Sequence, residues 1–75
     1  MKKLSNDETF LLNLGQRLRE IRESHSWTLE QTEEHGWPSW RHLQKIETGK
    51  NVPILTLYKL SKLYKIPLSE ILNGI

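Results

Sequence analysis

The sequence predicts an all-α domain built from five helices. Apolar residues recur three and four apart in successive segments, which is the spacing of one helical face. Between those segments stand Gly36, Pro38, Gly49 and Pro67. Each has a physical reason to stop a helix: glycine takes left-handed backbone readily, and proline has no amide hydrogen to donate. No stretch reads as a strand. The chain has 75 residues, 36% of them hydrophobic and 27% charged, the size and balance of one ordinary folded domain.

Residues 1–7 are expected to form a flexible tail, with Lys2 and Lys3 read as a frayed end rather than as an arm, and residues 8–75 to form the domain. The first helix is expected over 8–25, because Leu11, Leu14, Leu18 and Ile21 make one apolar stripe. Asn6 or Asp7 is its expected cap. Gly15 inside it lowers helix propensity by about 1 kcal/mol relative to alanine, a cost that close packing can justify. Thr28 followed by Gln31 has the spacing of a capping box, so a short second helix is expected over 29–35. Gly36, Trp37 and Pro38 then break the chain, and Ser39 caps a third helix expected over 40–48. After the connector "KNVP" a fourth helix is expected over 54–64, with Leu57, Leu60, Ser61 and Tyr64 on its stripe. Ile66 and Pro67 end it. A fifth helix, expected over 68–73, turns Leu68, Ile71 and Leu72 to the core.

Composition excludes several classes. There is no cysteine, so disulfides and thiolate metal sites are ruled out. No apolar run approaches the roughly 18 residues of a membrane span. The start, "MKKLSNDETF", has no apolar stretch behind its lysines and does not read as a secretory signal, so a cytoplasmic location is expected. His25, His35 and His42 lack ligand spacing, and neither a metal nor a cofactor is expected. Glu33 and Glu34 are neighbours that diverge by about 100° on a helix, too far apart in direction to flank one substrate. No nucleophilic set or phosphate-cradling glycine loop is present. The chain is not expected to be an enzyme.

The segment "GWPSWRHLQKIETGKN" (residues 36–51) is unusual for its mixture of aromatic, cationic and amide side chains. On a helix at about 100° per residue, Leu43 and Ile46 point one way and anchor it. Arg41, Gln44, Lys45 and Thr48 point the other way, with Trp40 and His42 on the borders. The outward groups suit base edges in a major groove: arginine or lysine for guanine, glutamine for adenine, an apolar group for a thymine methyl. The net charge is only +2, but its placement is uneven. From residue 41 to residue 65 Arg41, Lys45, Lys50, Lys59, Lys62 and Lys65 face a single acid, Glu47, and such a half can meet phosphate. Trp37 either packs under the turn or is partly exposed, and Trp40 either meets a base or sugar edge or packs beside Leu43.

Three pieces together, "LREIR" in the first helix, "IETG" closing the third and "LYKLSKLYKIPLSEIL" near the end, resemble the Cro/C1-type (XRE) helix-turn-helix family of bacterial and phage regulators. The resemblance covers about residues 14–72. It implies a compact, lambda-repressor-like fold of five helices whose second and third helices, about residues 28–48, form the reader. It also implies a prokaryotic transcriptional regulator binding double-stranded DNA, commonly as a homodimer on paired half-sites. By position, Ser39, Trp40, Arg41, Gln44 and Lys45 stand where the family faces bases. Thr28, Thr48, Lys50 and Asn51 stand where it faces phosphates. Arg22 and Glu47 match a pair that in many members bridges the first and third helices. Around Tyr64 to Leu68 and the last helix lies the expected dimer patch. The sequence departs from the family at Leu29, where glutamine is common, at Thr32 and Glu33, where a small residue is common, and at Trp37 in the turn. The alternative is a protein-interaction module on the same fold, antitoxin-like, with Trp37 and Trp40 as anchors.

Overall fold

The computed structural model describes residues 3–75. Lys2, half of the tail's basic pair, lies outside the described residues. Among those described, the chain forms five α-helices and no strand: α1 (Asn6–Ser24), α2 (Gln31–Glu34), α3 (Trp40–Glu47), α4 (Ile54–Tyr64) and α5 (Leu68–Leu72).

The first helix starts earlier than its apolar stripe. Ser5, not Asn6 or Asp7, is its cap: the Glu8 amide donates to Ser5 Oγ at 3.1 Å, and the Ser5 amide donates to Glu8 Oε1 at 3.2 Å. This reciprocal box satisfies two of the amides that a helix start leaves open. Asn6 and Asp7, expected in the tail, therefore form the first turn of α1. The stripe buries Leu14, Leu18 and Ile21 as expected.

The core gathers those residues with Trp37 from the turn, Leu43 and Ile46 from α3, Leu57, Leu60 and Tyr64 from α4, and Ile71 from α5. Helix α1 packs on both α3 and α5, α4 packs on α5, and α2 packs on α3. Trp37 is 6% exposed, so it belongs to the core and is withdrawn as a surface anchor. Tyr64, expected in a dimer patch, is 1% exposed and Ile71 0%. Both close the single-chain core instead. Trp27 is half-buried against the core and stacks on His35 with ring centroids 3.9 Å apart.

The α1–α3 crossing is close because Gly15 has no side chain. A Cβ there would lie 2.5 Å from the Glu47 carbonyl oxygen and 2.6 Å from that of Ile46. The low helix propensity of glycine is thus offset by an approach that no other residue permits. Helix α4 ends at Lys65 in left-handed backbone (φ 58°), and the Ile66 amide reaches back to the Ser61 carbonyl at 3.1 Å. Pro67 then prevents continuation.

Candidate nucleic-acid interface

The third helix is held by its inner face and presents its outer face. Leu43 is 0% and Ile46 2% exposed. Arg41, Gln44, Lys45 and Thr48 are exposed, as is His42, while Ser39 and Trp40 are half-buried. The period of 3.6 residues explains this division. Ser39 caps the helix, its Oγ accepting from the His42 amide at 3.3 Å. Trp40 is partly covered, and the Arg41 guanidinium lies 5.4 Å from its ring centroid, within cation–π range. The outward first turn therefore joins a cation and an aromatic face.

The helix is tied to α1 by charge. Arg22 donates from Nε to Glu47 Oε2 at 2.8 Å and from Nη2 to Glu47 Oε1 at 2.9 Å, and its Nη1 donates to the Trp27 carbonyl at 2.8 Å. The two side chains are 9% and 5% exposed. The hydrogen bond that Arg22 donates to Glu47 raises the Arg22 pKa above its ordinary value, against the opposing effect of burial. Planar two-point pairing of this kind fixes direction as well as distance. It sets the angle at which α3 leaves the core.

The turn before α3 is shorter in helix than expected. Thr28 and Gln31 form the anticipated reciprocal bonds, Thr28 amide to Gln31 Oε1 at 2.8 Å and Gln31 amide to Thr28 Oγ1 at 3.2 Å. Yet α2 proper is only Gln31–Glu34. The Thr32 and Glu33 amides donate three residues back, to Leu29 and Glu30, which is the tighter 3₁₀ pattern. Thr32 takes the fully buried position in this helix, with its hydroxyl donating to the Leu29 carbonyl. That bond is how a residue larger and more polar than alanine fits. Gly36, at φ 103°, makes the bend.

The four residues expected to face phosphate differ in what they offer. Lys50 and Asn51 are exposed and follow Gly49, whose φ of 108° ends α3. Thr28 is exposed, and its hydroxyl proton is not used by the capping bonds. Thr48 is exposed, but its Oγ1 donates within the helix, 3.1 Å from the Gln44 carbonyl and 3.0 Å from that of Lys45. It has only acceptor capacity left as placed.

Two neighbours were not assigned to this interface from sequence. Arg19 lines a cleft of about 220 Å³ with Leu29, Gln44 and Thr48, above the buried ion pair. It is paired at the surface with Glu23 at 3.3 Å, and the i,i+4 spacing hid its nearness to α3. Glu33 accepts a hydrogen bond from the Trp40 amide at 2.8 Å, across the turn. Only the three-dimensional path of the turn shows this. Among the described residues, no group of His, Asp and Glu is arranged to hold a metal ion, and no helix is long and apolar enough to cross a membrane.

Two helices joined by a tight turn, the second anchored on its inner side and polar on its outer side, define a helix-turn-helix domain. A family model described as "Helix-turn-helix domain" matches residues 15–75. The chain belongs to this family, of the Cro/C1 (XRE) type, and DNA binding is the function that membership carries. Searches of curated proteins and of solved structures returned no match.

Proposed function

We propose that the protein is a sequence-specific transcriptional regulator that sets α3 in the major groove of double-stranded DNA. The observation that carries this reading is the outer face of α3. Arg41, Gln44 and Lys45 are exposed together on a helix whose opposite side is locked to α1 by the Arg22–Glu47 pair. A rigid helix with outward donors can discriminate bases, because misplaced contacts cannot relax. In this reading Arg41 directs two donors to guanine O6 and N7, and Gln44 and Lys45 reach neighbouring bases or phosphates. Trp40 lies against a thymine methyl or sugar edge, and Ser39 sits at the groove-facing cap. Thr28, Lys50 and Asn51 meet the backbone. Thr48 joins them once its hydroxyl turns from its own helix.

One reader helix covers too few base pairs to mark a unique genomic site. A homodimer on half-sites about one helical turn apart meets that need. The interaction-module alternative loses support from the burial of Trp37, which leaves Trp40 as its sole aromatic anchor.

The test compares two variants on a selected duplex. Arg41→Ala is expected to weaken the preferred site by about 1–3 kcal/mol and to relax one base pair. Lys50→Ala is expected to weaken all duplexes alike and to lower the salt slope by about one. A chain that shifts no duplex even at low salt is not a DNA reader.

A further inference from the structure

The carboxylate of Glu33 stands at the base-reading end of α3 although the residue belongs to α2. Its Oε2 accepts from the amide of Trp40, the first residue of α3, at 2.8 Å. The residue is exposed, and among the described residues Oε1 has no hydrogen-bond partner. In a helix-turn-helix the N-terminal residues of the second helix contact base edges. A group pinned to the first amide of α3 is therefore carried to the same edges. The positive end of the helix dipole attracts a carboxylate held at the first amide, and the 2.8 Å bond fixes its place.

We propose that Glu33 is a specificity-determining residue that reads cytosine beside the guanine read by Arg41. The inference rests on the major-groove reading of α3 given above. An ionised carboxylate only accepts hydrogen bonds. Guanine and thymine present acceptors at their major-groove edges and repel it. Adenine offers its N6 amino group but sets the N7 acceptor beside it. Cytosine offers the N4 amino group with no acceptor alongside. The chemistry of the first turn of α3 is thus split. Arg41 supplies donors and Glu33 supplies an acceptor. The negative charge has a second consequence: it opposes the approach of phosphates and lowers affinity for random duplex.

The experiment selects bound duplexes from a random pool with the wild-type chain, Arg41→Ala and Glu33→Gln. Glutamine keeps an acceptor for the Trp40 amide, removes the charge, and offers a paired donor and acceptor suited to adenine. The expected wild-type pool has a fixed cytosine next to the guanine that Arg41→Ala loses. Glu33→Gln is expected to lose about tenfold in preference for that cytosine, or to turn it to adenine, while the guanine stays. An unchanged preference at that position overturns the proposal, whatever happens to random-duplex affinity. A wild-type pool with no fixed cytosine overturns it without any variant, so poor folding of Glu33→Gln does not protect it. If the wild-type chain selects no DNA at all, the reader function fails, and this inference with it.

Discussion

Removal of Arg22 would leave the Glu47 carboxylate 5% exposed and without its partner. Breaking one side of a buried pair costs about 3–5 kcal/mol, much more than the intact pair adds over an apolar replacement. Arg22→Met is therefore expected to lower the melting temperature by well over 10 °C, since each kcal/mol shifts a domain of this size by about 4–8 °C. Arg22→Met combined with Glu47→Leu should recover most of the loss in a thermal melt while leaving DNA discrimination impaired, because α3 has lost its angular constraint. Tyr64 gives the opposite kind of prediction. It is buried, its hydroxyl has no hydrogen-bond partner among the described residues, and burial pushes its pKa well above the ordinary 10.0. The unfolded chain then releases this proton first. Stability from Tyr64 is complete below about pH 10 and falls as pH rises beyond it, by at most about 1.4 kcal/mol per pH unit. Tyr64→Phe is expected to remove that alkaline fall and to cost nothing at neutral pH, as an unpartnered buried hydroxyl contributes little. Equal pH dependence of melting in both chains would contradict this. The Arg22–Glu47 pairing was legible only through family resemblance, since nothing in spacing joins residues so far apart in the chain. Tyr64 was legible as a stripe residue, but one stripe cannot reveal which neighbour covers it.

Elements were legible where periodicity was long and punctuation strong. The spacing of Leu57, Leu60 and Tyr64 placed α4 at its observed bounds, and Gly49 fixed the end of α3. The start of α1 was missed because the apolar stripe begins later than the helix does. Ser5 and Glu8 carry the capping-box spacing openly, and Phe10, Leu11 and Leu12 follow almost at once, so this start was legible as a capping box ahead of an apolar run. The second helix was overextended for a different reason. A cap at Thr28 starts a turn but does not decide whether that turn is α or 3₁₀. Gly15 tests the α1–α3 crossing. In an isolated helix Gly15→Ala would stabilise by about 1 kcal/mol. Here the added methyl meets two backbone carbonyls of α3, which cannot swing aside as a side chain can. A net loss of about 1–3 kcal/mol is expected, read as a lower denaturation midpoint. An unchanged or raised midpoint would mean that the helices are not in close approach.

At the scale of the whole molecule, the fold was legible and the geometry of the candidate interface only partly so. The outer face of α3 follows from helical period alone. The nearness of Arg19 from α1 and Glu33 from α2 to that face does not, because it depends on how three helices meet. With Tyr64 and Ile71 committed to the core, the exposed apolar residues Ile54, Leu55 and Tyr58 of α4 remain as surface. Sedimentation with a duplex carrying two half-sites is expected to show two chains bound, and a single chain at saturation would reject the dimer. In the proposed complex Arg41 reads a guanine from the major groove. The most direct test of this contact is a selected duplex in which that guanine is replaced by 7-deazaguanine, which lacks the N7 acceptor but still pairs normally. The wild-type chain is expected to lose affinity by about 1 kcal/mol or more, and Arg41→Ala to lose almost nothing further. If the two chains respond equally to the substitution, Arg41 does not contact that edge, and α3 is not reading the groove as described.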